Sequence, residues 1–232
     1  KETGIVLAGS VTHKAGYEVV SSLPKVRHFQ RILSLDKTKD VGKLRNFLGK
    51  DKGLLSWKLD GLTIVLTYQE GELVQAVTRG NGEIGEDITS NAKTFANLPL
   101  KIGYKGLVII RGEAVITYSE FEKINKNLPD EEKYKNPRNL CSGSVRQLNS
   151  QITAQRNVHF YAFTVVDGGI NTDSKEEQLE WLYTQGFEVV EYKTVIAESI
   201  EEEVEWFTDH VGKRDFASDG LVLTLDSISQ SI

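Results

Sequence analysis

With a single cysteine, Cys141, in 232 residues the chain cannot close an internal disulfide, and a reducing cytoplasm is its expected setting. Methionine is absent, even at position 1, so Lys1 is not expected to be a native start. No apolar run reaches the length of a membrane span and no segment has the pattern of a secretory signal, so a membrane partner is not expected. Positive charge is in short supply too. The 28 Lys and Arg residues face 33 Asp and Glu, and a net charge of −5 argues against a surface that binds nucleic acid throughout. What remains, 39% hydrophobic and 26% charged, is an ordinary soluble globular balance in a chain long enough to bury a large core.

The charge is unevenly placed. From Lys133 to Asn157 there are five basic residues, Lys133, Lys135, Arg138, Arg146 and Arg156, and no acidic one. Such a segment on an acidic protein is either a phosphate-contacting face or an ordinary charged loop, and composition does not separate the two. Glu198 to Glu205 is heavily acidic, as the solvated face of a helix would be. Cys141 lies among Leu140, Ser142, Gly143 and Ser144 with no histidine close in sequence, which reads as packing and not as a nucleophile.

Apolar spacing at Val41, Leu44, Phe47 and Leu48 predicts a helix over 39–48. Strands are predicted at 54–58, 61–68 and 72–79, with Glu70-Gly71 turning the second pair. A glycine-rich loop, Gly80 to Gly85, precedes a predicted helix over 87–96 capped by Asp87 or Thr89. A long apolar run, 107–116, is broken by Arg111-Gly112-Glu113, and a helix over 119–127 has a capping-box signature in Ser119 and Glu122. Further strands are expected at 158–166, 187–192 and 219–225, and helices at 174–184 and 199–211. The class is α+β, with antiparallel sheets and flanking helices.

The most informative residues are Lys58-Leu59-Asp60-Gly61, between two apolar strands. Asp-Gly there is the common signal for a hairpin turn. A lysine held rigidly at such a seam can also present its amine to a cleft and attack an α-phosphate, giving a phosphoramidate. The tetrapeptide alone fits both. Other charges interrupt the strands: Arg79 ends one, Arg111 and Glu113 break another, and Asp219-Gly220 opens the last. A buried charge costs several kcal/mol unless paired, so these residues line a polar cleft or form a structural ion-pair set.

In order along the chain, Val26-Arg27-His28 with Leu33-Ser34-Leu35-Asp36, Lys58-Leu59-Asp60-Gly61, Thr78-Arg79-Gly80-Asn81-Gly82 through Gly85-Glu86-Asp87-Ile88-Thr89, Arg111-Gly112-Glu113, Asn136-Pro137-Arg138-Asn139 with Gly143-Ser144-Val145-Arg146-Gln147-Leu148, and Asp219-Gly220-Leu221-Val222 resemble the adenylation domain of bacterial NAD-dependent DNA ligases. The resemblance covers roughly positions 20 to 225. Each piece is weak; the ordered set is specific. The Asn-Pro-Arg-Asn and Ser-x-Arg-Gln-Leu stretches argue against an ATP-dependent ligase or capping enzyme, which share Lys-x-Asp-Gly.

The resemblance implies a covalent nucleotidyltransferase fold, ATP-grasp-like, filling residues 1–232 as one adenylation domain. The family's small helical, OB-fold, zinc and helix-hairpin-helix domains are absent from it. It implies NAD as substrate, Mg²⁺ as cofactor, and a monomer acting on nicked duplex DNA in replication and repair. Lys58 would be the adenylated nucleophile and Asp60 the residue that orients it. Ser34 and Leu35 would contact adenosine, Arg79 the nucleotide and Glu113 the ribose, while Arg138 and Arg146 would meet DNA phosphates.

Two departures matter. The family's glutamate two residues before the lysine, an adenine contact, is Ser56 here, and its lysine on the α-phosphate is Thr224. A degenerate module that binds nucleotide or nicked DNA without chemistry is the alternative these changes suggest. A lysine amine, with a pKa of about 10.4 in isolation, needs desolvation or nearby cations to become nucleophilic. Thr224 supplies one hydrogen bond and no charge, and losing one electrostatic partner costs on the order of a hundredfold in rate. Weak self-adenylation, or none, is therefore expected of this stretch alone.

Overall fold

The computed structural model describes residues 4–12, 23–27, 34–38 and 40–230. His28 and Leu33, in the first matching segment, lie outside them, as do the side chains of Ser34 and Leu35. The strands are β1 (Gly4–Thr12), β2 (Lys25–Arg27), β3 (Ser34–Thr38), β4 (Gly53–Leu59), β5 (Leu62–Gln69), β6 (Glu72–Thr78), β7 (Ile84–Glu86), β8 (Val108–Val115), β9 (His159–Gly168), β10 (Tyr192–Val195) and β11 (Ser218–Leu225). The helices are α1 (Val41–Leu48), α2 (Thr89–Ala92), α3 (Tyr118–Lys126), α4 (Pro137–Val145), α5 (Ser150–Ala154), α6 (Lys175–Thr184) and α7 (Ile200–His210).

These strands form a five-stranded sheet in the order β10-β4-β11-β1-β3, a four-stranded sheet in the order β6-β5-β8-β9, and the small pair β2-β7. Pairing is antiparallel except for β1 against β11, which run parallel, with Gly4 opposite Gly220. The expected α+β class with antiparallel sheets and flanking helices holds, with this one parallel pair inside the larger sheet. Alternation splits each sheet into two faces. On β4 and β11, Leu55, Trp57, Leu59, Leu221, Leu223 and Leu225 point into one core, which Leu44 and Leu48 of α1 and Phe207 of α7 complete. On β5 and β8, Ile64, Leu66, Tyr68, Val108 and Ile110 point into a second core with Phe160, Leu182 and Phe187. The opposite faces carry Ser56, Lys58 and Thr224 on the first sheet and Thr63, Arg111 and Glu113 on the second, beside apolar residues such as Leu54, which joins the second core, and Val115, which joins the first.

Local chemistry sets the boundaries. Glu70 (φ 53°) and Gly71 (φ 81°) both adopt positive φ between paired Gln69 and Glu72, the two-residue turn that suits a twisted hairpin. Asp40 caps α1 by accepting from Gly42 N–H at 2.8 Å, and Gly49 ends it at φ 57°. Asn136 caps α4 by accepting from Asn139 N–H at 2.8 Å, with Pro137 in the first turn.

Three sequence expectations are corrected. The helix expected over 87–96 is only α2, because Thr94 and Phe95 bond to the carbonyls three residues back, Asn91 and Ala92, tightening the chain out of the α-helix. Asp87 does shape its start, accepting from both the N–H (2.9 Å) and the hydroxyl (2.6 Å) of Thr89. The cap of α3 is Thr117, which accepts from Glu120 N–H at 3.2 Å; Ser119 instead donates both its N–H and its hydroxyl to Asp215. Finally, 187–192 is not a strand. It touches β9 at one bridge, Val189 to Ala162, and pairing resumes at Tyr192 in β10.

Candidate active site at the crossing between the sheets

Lys58 is the next-to-last residue of β4. The chain then leaves the five-stranded sheet and enters the four-stranded one through Asp60 and Gly61, so β4 and β5 do not pair and Lys-x-Asp-Gly is not a hairpin. Two bonds lock the crossing: Asp60 N–H donates to Ala217 C=O at 2.9 Å, and Ser218 Oγ to Lys58 C=O at 3.0 Å. Only glycine fits at position 61, because a Cβ there would lie 1.9 Å from the carbonyl oxygen of Ala114 in β8.

Alternation along β4 turns Lys58 away from the core that holds Trp57 and Leu59. Its Nζ donates to Asp219 Oδ2 at 3.2 Å, and both side chains are about one-third exposed, at 31% and 38%. Asp219 Oδ1 is sealed from water and accepts no bond, so this carboxylate keeps acceptor capacity beside the amine. Asp60, expected to orient Lys58, is paired with Arg138 Nε at 3.5 Å. The carboxylate on the amine is thus Asp219, 161 residues away in sequence. The sequence signal for it was only the Asp-Gly that opens β11.

Glu113 closes the seam from β8. It accepts from Thr63 Oγ1 at 2.8 Å and from Gly61 N–H at 3.2 Å. Burial nevertheless pushes its carboxyl up to about 7; the two hydrogen bonds and Arg138 lower it less than burial raises it, and neighbouring Asp60 raises it further. Arg79 follows β6, with its N–H on Thr63 C=O at 3.0 Å, and lies near enough to Arg111 to depress the latter's proton affinity. Ser56 and Thr224 fall on the same face as Lys58, opposite Val222 and Leu54 respectively in the β4–β11 register. Ser56 is half-buried; Thr224 is buried, its hydroxyl donating to Leu225 C=O at 3.2 Å. Neither places a charge in the cleft.

Lys58, Asp60, Glu113 and Arg138 therefore converge, joined by Asp219. Arg146 stands apart: it pairs at 2.8 Å through both Nε and Nη2 with fully buried Glu86, and so braces α4 against β7. Ser34 and Leu35 lie in β3 at the far edge of the five-stranded sheet. Cys141 is packed as expected, its thiol on Ala114 C=O at 3.2 Å and its proton held tightly by burial. Among the described residues, no three acidic, histidine or cysteine side chains gather where they could hold a metal ion.

A family model described as "NAD-dependent DNA ligase adenylation domain" matches residues 20–231. The chain is 58% identical to a DNA ligase of Ruminiclostridium cellulolyticum over 232 residues, covering 99% of this chain and 35% of that protein. It is 60% identical to a DNA ligase of Lachnoclostridium phytofermentans, covering 99% of this chain and 36% of that one. It therefore spans about a third of the length of these relatives. Among solved structures, an archaeal ATP-dependent RNA ligase superposes with a TM-score of 0.46 at 16% identity, over 94% of this chain and 52% of that one. The family match and both relatives run through the Lys58 crossing, and the chain belongs to the adenylation domains of NAD-dependent DNA ligases.

Proposed function

We propose that this chain performs the nucleotidyl transfer of a DNA ligase, taking AMP from NAD onto Lys58 and passing it to the 5′-phosphate of a nick. The observation that carries this reading is the seat of Lys58: an amine at the crossing between two sheets, with the Asp219 carboxylate at 3.2 Å and no room for a side chain at Gly61. In the first step Lys58 Nζ forms a bond to the α-phosphorus. The bond from that phosphorus to the bridging oxygen breaks, nicotinamide mononucleotide leaves with the electron pair, and Asp219 is placed to take the amine's proton. Glu113 faces the ribose hydroxyls, Arg79 the nucleotide, and Ser56 and Thr224 line the wall where the base and phosphate would lie; adenosine contact by Ser34 and Leu35 belongs to the same reading. Arg138, with a side chain 63% exposed, is open to a DNA phosphate, while Arg146 could reach one only by sharing its charge with Glu86. A monomer in the cytoplasm, using Mg²⁺ carried by the nucleotide, fits this role.

The test is a graft. Placed in the R. cellulolyticum DNA ligase over the matching region, this chain is expected to support nick sealing with NAD and not with ATP, and Lys58→Ala to abolish it. Sealing that survives Lys58→Ala, or a graft that binds NAD and nicked DNA but never seals, would overturn the reading. The latter result would make Ser56 and Thr224 marks of a binding module.

A further inference from the structure

The face of the four-stranded sheet that carries Glu113 holds a second cluster. Arg111 lies on the same face, two residues along β8, about 7 Å from Glu113 by strand geometry. Its Nε is sealed from water and makes no hydrogen bond, and the guanidinium sits 5.6 Å from the centre of the Phe163 ring. Lys175 reaches the same place from another element. As the first residue of α6 it is pinned to the end of β11, its N–H on Asp226 C=O at 2.7 Å, and its Nζ lies 3.5 Å from Thr164 Oγ1, the residue paired with Arg111 across β8 and β9.

This is a costly arrangement. Arg111 is near both Arg79 and Lys175, so two of its neighbours repel it. Burial, then Arg111, holds the Lys175 ammonium down to about 8. The amino end of α6 adds the positive pole of a helix. The acids of that first turn are directed elsewhere, Glu176 to Lys52 at 2.9 Å and Glu177 to the Thr172 hydroxyl. Among the described residues, none supplies a carboxylate that pairs with Arg111 or Lys175. Unpaired, half-buried cations of this kind, with one guanidinium nitrogen sealed from water, are destabilising unless something outside the chain neutralises them.

We propose that Arg111 and Lys175 form an anion subsite, assisted by the Thr164 hydroxyl, that takes a phosphoryl group. A planar guanidinium and an ammonium supply donors for several oxygens, and the doubled negative charge of a phosphoryl group offsets both cations, as a neutral base or sugar would not. The inference goes beyond nucleotidyl transfer at Lys58 and does not depend on it.

The test is isothermal titration of the chain with inorganic phosphate, in chloride of matched ionic strength, for wild type, Lys175→Met, Arg111→Met and Lys175→Arg. Phosphate is expected to bind wild type and Lys175→Arg, and roughly tenfold or more weakly to either Met variant, the loss typical of one charge-assisted hydrogen bond. Without phosphate, both Met variants should melt at a higher temperature than wild type, because each removes an unpaired, half-buried charge from a cluster of like charges. If Arg111→Met does not fold, the two Lys175 variants decide the matter. No phosphate binding by wild type, or equal binding by Lys175→Met, overturns the subsite. Paired titrations then assign the source: a Lys175-dependent gain of AMP over adenosine points to the nucleotide, and of a 5′-phosphorylated nick over a 5′-hydroxyl nick to DNA. Adenosine weakened as much as AMP by Lys175→Met would mean that the recess reads a base, and the anion claim falls.

Discussion

At the scale of single residues, Glu113 has the most direct solution signature. Its folded-state carboxyl is raised from 4.5 to about 7, so the folded protein binds the proton more tightly than the unfolded chain does. The sign follows: Glu113 costs nothing below pH 4.5, and stability is lost as pH rises from there through about 7. The loss amounts to on the order of 2–3 kcal/mol, allowing for the water that still reaches the side chain. Glu113→Gln, which keeps an acceptor for Thr63 and Gly61, should remove that slope. Urea unfolding at pH 5 and pH 8 checks it, and parallel pH dependences in the two proteins would show that the carboxyl is not buried as described. Lys58 and Glu113 were legible in the sequence because each breaks an apolar strand with a charge. The pairing of Lys58 with Asp219, and the juxtaposition of Arg111 and Lys175 from β8 and α6, were not legible, since both depend on which strands and helices become neighbours.

At the scale of elements, signals contained within a few residues were readable. The Glu70-Gly71 turn and the apolar stripe of α1 needed only local φ preferences and spacing. Two of the three misread elements are places where a distant partner wins: Asp215 draws Ser119 away from capping α3, and Ala162 holds Val189 at a single bridge, whereas α2 is cut short by its own three-back bonds. α4 was missed because Gly143 and the serines around it have weak helix propensity, and its cap and buried Leu140, Cys141 and Val145 stabilise it instead. The crossing at Gly61 is the element on which the site depends. Gly61→Ala would drive a methyl into the Ala114 carbonyl, so the start of β5 and the end of β8 must part. The expected outcome is a loss of a few kcal/mol of stability, in the range of overpacking, together with loss of adenylation in the graft. A Gly61→Ala protein with unchanged melting and activity would mean that the crossing tolerates a shift.

At the scale of the whole molecule, a net charge of −5 coexists with an acid-free basic stretch that folds largely as α4 and α5. Sequence treated Arg138 and Arg146 alike; the fold separates them. Arg138→Ala should flatten the salt dependence of nicked-duplex binding by about one charge in the grafted ligase, with little change in melting. Arg146→Ala should instead destabilise by about 3–5 kcal/mol, because fully buried Glu86 loses its ion pair. Equal effects of the two on stability and on salt slope would refute that division. The central claim remains that the Lys58 amine accepts AMP. The decisive measurement is intact and peptide-level mass analysis of the grafted ligase after incubation with NAD and Mg²⁺ in the absence of DNA. The account predicts one AMP per chain, on the peptide that contains Lys58, absent with ATP and absent in Lys58→Ala. An adduct on any other residue, or none with NAD, would contradict it.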